Sequence, residues 1–179
     1  MLTFVIGGAG SGKSAYAERL LAAAPGPRYY LATMQVWDEE CRRRVERHRA
    51  LRAGRGFRTL ERPLDLAGLV LPEPGSLLLE DLTNLAANER YDPRGAGPLA
   101  PQAVCAGLEA LQRQTAHLIV VGNELFCGGS EYEGDTLTYL RMLGELHRRL
   151  AAMADNVCEV TAGCPVYYKG KEPSGYANP

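Results

Sequence analysis

The chain has 179 residues, a formal net charge of -1 and 46% apolar residues, a length that fits one ordinary domain over residues 1–179 with a core of two or three layers. The near-zero charge excludes a global field for nucleic acid or acidic membranes, so any anion must be held by a local arrangement. The five cysteines, Cys41, Cys105, Cys127, Cys158 and Cys164, are odd in number and form no CxxC pair. They predict reduced, mostly buried thiols and argue against a disulfide framework or a structural zinc site.

The first element is LTFVI, residues 2 to 6, an all-apolar run expected of a strand buried on both faces of a parallel sheet. It runs straight into glycines, without the basic flank of a signal peptide, and no apolar run approaches the ~20 residues needed to cross a bilayer. The expectation is a soluble, cytoplasmic protein with no membrane span. After the glycines, KSAYAERLLAAA carries Ala15, Leu20 and Leu21 at helical spacing and stops at PGP.

RYYLAT (28 to 33) reads as a second strand, and Asp38 to Arg52 as a highly charged helix with acids at its positive end. FRTLE (57 to 61) reads as a third strand, with a helix from Pro63, a residue suited to a first helical turn. SLLLED (76 to 81) is a buried strand ending in two acids, followed by a short helix at LTNLAANER. YDPRGAGPLAP (91 to 101) reads as a loop, helix returns over 102 to 114, and HLIVVGNE (117 to 124) is another buried strand. CGGSEYEGD precedes a long helix over 136 to 154, and NVCEVTAG and PVYYK close the chain as strands. Alternating strands and helices predict an α/β fold of the P-loop NTPase type, a mainly parallel sheet with helices on both faces.

Gly7, Gly12, Lys13 and Ser14 satisfy GxxxxGK[ST], with a strand before and a helix after. Consecutive backbone N–H groups from Gly7, Gly8, Ala9, Gly10, Ser11 and Gly12 can converge on phosphate oxygens, and the helix N-terminus adds its dipole. Lys13 would reach the β and γ phosphates, and Ser14 would ligate Mg²⁺. The alternative, a glycine turn that only joins strand to helix, does not account for the lysine and serine. A GTPase would show NKxD for guanine; NLAA and NELF do not fit it, and the small size suits a small-molecule kinase better than a mechanical ATPase.

Open parallel sheets bind ligands at the carboxyl ends of their strands. Glu80 and Asp81 are therefore candidates to hold Mg²⁺, against the plainer reading in which Asp81 caps the next helix. Asn123 and Glu124 occupy the equivalent place on another strand. Arg44, His48 and Arg52 lie at i, i+4 and i+8 of the charged helix, which is either a solvated basic face or a polyphosphate site whose arginines keep the imidazole neutral and nucleophilic. His117 and His147 read as structural.

These segments together resemble the bifunctional adenosylcobinamide kinase and adenosylcobinamide-phosphate guanylyltransferase family of cobalamin biosynthesis. The likeness rests on GGAGSGKSAYAE, YLATMQVWDEECRRRVERHR, FRTLERP, LLLEDLTNLAAN, VGNELF and RLAAMADNVCEVTAGCPVYYK, in the family's order. The spacing of Asp38, Glu40, Arg44 and His48 matches the family's DxExxxRIxxH, with Val45 for isoleucine. The resemblance implies phosphorylation of the aminopropanol hydroxyl of adenosylcobinamide by ATP or GTP. GMP then passes from GTP through a covalent adduct on His48 to the corrinoid phosphate, giving adenosylcobinamide-GDP. It further implies catalytic roles for His48 and Lys13, nucleotide contacts from Thr33, Arg44, Glu61 and Glu80, Mg²⁺ on Ser14 and Glu80, and a homotrimer with active sites between subunits.

The chain departs from the family's pattern at Gly10, where arginine is usual, and after Asn123 and Glu124, where NEVGxGIVP is expected. It departs again at Leu140, Arg141, His147 and Arg148, read as changes on a substrate-facing or subunit-facing surface rather than in the core. Two other readings stay open: a divergent relative that keeps one activity or uses another hydroxyl-bearing substrate, and a non-catalytic nucleotide-binding regulatory protein.

Overall fold

Short apolar runs flanked by glycine, proline and polar residues become the strands of one sheet, and the amphipathic segments between them become its covering helices. The computed structural model describes residues 1–35, 39, 42–43, 56–126 and 132–173. The predicted charged helix lies mostly outside these, with Asp38, Glu40, Arg44, His48 and Arg52; so do Cys41 and Cys127. In chain order the elements are β1 (Leu2–Gly7), α1 (Lys13–Ala23), β2 (Arg28–Ala32), β3 (Arg58–Glu61), β4 (Gly75–Glu80) and α2 (Leu82–Tyr91). They continue with α3 (Ala100–Gln114), β5 (Thr115–Asn123), α4 (Gly134–Met153), β6 (Asn156–Thr161) and β7 (Cys164–Lys169).

The seven strands run in the order β3-β2-β4-β5-β1-β6-β7. All neighbouring pairs are parallel except the terminal β6–β7 hairpin. Alternation along each central strand divides the core in two. Leu77, Leu79, Leu118 and Val120 point to the face covered by Leu82 and Leu85 of α2, Leu108 of α3 and Leu143, Leu146 and Leu150 of α4. Leu78, Ile119 and Val121 point to the other face, against Tyr16, Ala17, Leu20 and Leu21 of α1. A strand buried on both faces has no need of polar alternation, which is why LLL and LIVV read as continuous apolar runs. Each fully buried leucine contributes roughly 1.5–3 kcal/mol relative to exposure.

Several expectations are corrected. Ala15 is exposed, and the buried stripe of α1 is Tyr16, Ala17, Leu20 and Leu21. The helix expected from Pro63 is a single 3-10 turn at Leu66–Gly68, because Asp65 adopts a left-handed φ of 53° and its side chain accepts from Gly68 N, closing the turn at once. The Pro- and Gly-rich segment shrinks from both ends: Tyr91 ends α2, and Ala100 and Pro101 begin α3. What remains is pinned. Asp92 accepts from the Arg94 amide at 2.9 Å, the Arg94 guanidinium at 2.7 Å and Gln35 at 2.9 Å, while Glu89 accepts from Ala96 N at 3.0 Å. Of the described cysteines only Cys158 is buried, its thiol pushed up to about 12 chiefly by that burial; Cys105 is half-buried and Cys164 exposed.

His147 is a core residue, in line with its reading as structural and against the reading of its position as substrate-facing or subunit-facing. Its ring meets Phe4 and Phe126 edge to face, with centroids 5.3 and 5.6 Å away, and its buried Nε2 has no hydrogen-bond partner among the described residues. His117 is also buried, with Nε2 2.8 Å from Thr3 Oγ1. Burial is the main cause that lowers both imidazoles from 6.5 to about 4, with the Met1 amino group adding to the effect at His117. The native state thus binds fewer protons than the unfolded chain between pH 6.5 and 4. The stabilisation is fully present above the unfolded value and is lost as pH falls through this window, at most about 3 kcal/mol per residue. Thermal melts should drop steeply between pH 6.5 and 4, and His147→Leu should flatten that slope. Coincident slopes for wild type and variant would refute the assignment.

Candidate functional site

The glycine loop connects β1 to α1 at the carboxyl end of the sheet. Gly12, with φ 91°, is the N-cap of α1 and supplies no side-chain cap; the first turn carries no acid. That helix terminus is therefore open to an anion, in a conformation where any other residue would cost roughly 1–2 kcal/mol. At Gly7 the constraint is space: a Cβ would lie 2.5 Å from Ser11 Oγ and 2.7 Å from Val160 O. The loop is also held from the side by the β6–β7 turn, where Gly163 N donates to Ser11 O at 2.8 Å. Lys13 is largely buried, and its Nζ donates to Gly8 O at 3.0 Å, so the ammonium stays over the loop.

Across from the loop, β4 ends in Glu80 and Asp81. Ser14 Oγ donates to Glu80 Oε1, which places the first helical hydroxyl and the strand-end acid side by side. Glu80 Oε2 is buried and has no hydrogen-bond partner among the described residues. Burial raises the Glu80 pKa most, the Ser14 hydroxyl opposes it, Asp81 and Glu18 raise it further, and Tyr30 opposes. A desolvated carboxylate with one spare oxygen beside a hydroxyl is a set of hard oxygen donors, which fits Mg²⁺ completed by water and phosphate oxygens.

Asp81 does something different. Its Oδ1 accepts from Asn84 N at 2.6 Å, capping α2, and its Oδ2 accepts from Asn84 Nδ2 and Asn123 Nδ2 at 3.1 Å each. The plainer reading of Asp81 as a cap is the one the geometry realises. Burial raises its pKa, while the Asn84 amide, Asn123, Lys13 and Thr83 pull it back. Burial outweighs these donors, so the net shift is upward, and the three hydrogen bonds fix the orientation of the carboxyl group.

Thr33 is fully buried behind this pair: its Oγ1 donates to Asp81 O and accepts from Asp81 N, both at 2.8 Å. That hydroxyl shapes the strand ends from behind. Glu61 is level with Ala32, itself level with Glu80, so it stands on the same edge two strands over, roughly 10 Å away by strand spacing. Gly7, Gly8, Ala9, Gly10, Ser11, Gly12, Lys13, Ser14 and Glu80 thus form one cluster, with Thr33 behind it and Glu61 at its margin. Arg44 and His48 are outside the described residues.

The sequence placed Asn123 and Glu124 at a strand end without partners, and the support from the last hairpin escaped it. Asn123 had no assigned partner, yet it pairs in register with Gly7 and hydrogen-bonds Asp81, tying β5 to both halves of the site. Glu124 N donates to Gly7 O at 3.0 Å, a further tie. The Ala162–Gly163 turn carried a signal, a two-residue connection with glycine second between two apolar runs, and both residues have positive φ. Its contact with the loop was not visible from spacing.

The family model described as cobinamide kinase / cobinamide phosphate guanyltransferase matches residues 3–168. The chain is 36% identical over 178 residues to the bifunctional adenosylcobalamin biosynthesis protein CobP of Pseudomonas aeruginosa, covering 96% of this chain and 99% of that one. It is 32% identical over 183 residues to the bifunctional adenosylcobalamin biosynthesis protein CobU of Salmonella typhimurium, covering 94% and 100%. Among solved structures, a prototypical ATPase from the type III secretion system of pathogenic bacteria aligns with a TM-score of 0.53 at 14% identity. That match covers 89% of this chain, which spans about half the length of the ATPase, and it shows the fold alone.

Proposed function

Since the chain belongs to the cobinamide kinase / cobinamide phosphate guanyltransferase family, we propose that its glycine loop and Glu80 hold the nucleotide and Mg²⁺ for both reactions of that name. The chain is a transferase of adenosylcobalamin biosynthesis, like the relatives it matches over almost their whole length. The observation that carries the assignment of the site is the Ser14–Glu80 pair facing a lysine-bearing loop, with a buried carboxylate oxygen left over.

In the first reaction the aminopropanol hydroxyl oxygen of adenosylcobinamide bonds to the γ phosphorus. The bridging P–O bond breaks, its electron pair leaves with ADP or GDP, and one proton is released. Lys13 and the loop N–H groups meet the charge that builds on the phosphoryl oxygens, which is where catalysis of phosphoryl transfer chiefly lies. Mg²⁺, when bound at Ser14 and Glu80, supplies a further positive charge to those oxygens.

In the second reaction a ring nitrogen of His48 bonds to the α phosphorus of GTP and pyrophosphate leaves. An oxygen of the corrinoid phosphate then takes the GMP, the P–N bond breaks, and the imidazole is regenerated. Arg44, four residues before His48 in the sequence, would contact the same phosphates. A cytoplasmic homotrimer, in which neighbouring copies complete each site, belongs to the same proposal.

The test is direct. Purified protein given adenosylcobinamide, ATP, GTP and Mg²⁺ should form adenosylcobinamide-GDP with one ADP and one pyrophosphate released per product. Absence of both phosphorylated and guanylylated corrinoid, under conditions where nucleotide binds, would refute the function.

A further inference from the structure

Beside the phosphate site, α2 and α4 enclose a groove of about 320 Å³. Thr83, Asn84, Ala87 and Tyr91 form one wall, and Asp135 and Tyr139 belong to the other. Two residues of its α2 wall are hydrogen-bonded to strand-end residues of the site. Asn84 N is the donor that Asp81 caps, and Thr83 Oγ1 accepts from Asn123 N at 3.1 Å, with Asn123 level with Gly7 on the neighbouring strand. Tyr139 OH donates to Thr83 O at 2.9 Å, which fixes the two walls to each other.

We propose that this groove is the acceptor subsite, holding the amide-linked, hydroxyl-terminated arm of the corrinoid so that its hydroxyl reaches the loop; this rests on the function proposed above. Three observations select that occupant over a second nucleotide. Among the described residues none that lines the groove is basic, and Asp135 stands in its wall, an environment that repels phosphates and tolerates a neutral chain. Arg90 is near, but its guanidinium lies over the Tyr91 ring at 5.6 Å and is not part of the wall.

The tyrosine pair also excludes a stacked base. The rings of Tyr91 and Tyr139 are 6.1 Å apart and tilted by 40°, whereas a purine between two aromatics needs parallel planes about 7 Å apart, twice a carbon contact distance. The volume is at the small end for ligand sites, right for an arm and too small for a whole corrin. Tyr91 is 51% exposed at the mouth, where it would meet the apolar edge of the macrocycle left outside.

Two variants fill the groove from opposite walls: Ala87→Trp, and Thr136→Trp at an exposed position that keeps the fold. Each should raise the KM for adenosylcobinamide at least tenfold in the kinase assay, with the KM for ATP within twofold of wild type. Equilibrium dialysis against adenosylcobinamide without nucleotide should show the same weakening. If wild type phosphorylates adenosylcobinamide and both variants, melting as wild type does, keep its KM, the groove assignment is overturned and the function stands. A raised KM for ATP or GTP instead would make this a base site and overturn it equally. If wild type neither binds nor phosphorylates the corrinoid, function and subsite fall together.

Discussion

Lys13→Ala is expected to lower phosphoryl transfer to adenosylcobinamide by roughly 10²–10⁴-fold, the scale of removing a fixed donor that meets transition-state charge. The geometry gives the reason. Lys13 is 8% exposed, and its ammonium is held over the loop by Gly8 O at 3.0 Å, so it is in place before nucleotide arrives. It also opposes the negative charge of Asp81, one strand end away. Initial rates of ADP release with adenosylcobinamide present, alongside circular dichroism melts, test this. Lys13→Arg should recover little of the loss, because a planar fork does not substitute for a compact ammonium in a tight loop. A Lys13→Ala rate within threefold of wild type would sink the loop assignment.

Incubation with α-³²P GTP and Mg²⁺ should leave an acid-labile, base-stable label on the denatured protein, as a phosphoramidate requires, and His48→Ala should abolish it entirely. The prediction rests on the residue order Arg44, His48, Arg52 at helical spacing, on the match to DxExxxRIxxH, and on membership of the family. In the proposed site the arginines at this spacing would disfavour a second positive charge on the imidazole and so favour its neutral, nucleophilic form. A label that persists in His48→Ala, in protein that melts as wild type does, would move the nucleophile elsewhere. Label absent from the wild type while GTP binds would remove the covalent step altogether.

The two halves of this reading were unequally legible. GxxxxGKS needs no tertiary knowledge: the residues proposed to cradle phosphate are contiguous, and the apolar run before them and the helix after them are local properties of the chain. The parallel sheet was legible for the same kind of reason, since strands buried on both faces lose their polar alternation, as Leu77 to Leu79 and Leu118 to Val121 do. Composition misled where specific side-chain hydrogen bonds to nearby backbone decided the conformation. Pro63 suited a helix start, but Asp65 closes a tight turn; the proline- and glycine-rich stretch read as a loop over 91 to 101, but helices take both its ends and Asp92 and Glu89 tie down the rest.

Residue order alone established the class of fold, the phosphate loop and, through the resemblance, the reaction. Only the folded chain decided which acid does what: Glu80 and Asp81 are adjacent in sequence and look equivalent there, yet one meets Ser14 and the other caps α2 and binds Asn123. It decided as well that His147 is core, that the last hairpin supports the loop through Gly163, and that α2 and α4 leave a groove beside it. The physical reason is common to all of these. A contiguous motif carries its geometry in backbone conformation, whereas partners brought from 40 to 150 residues away are chosen by strand order and packing, which no single segment encodes.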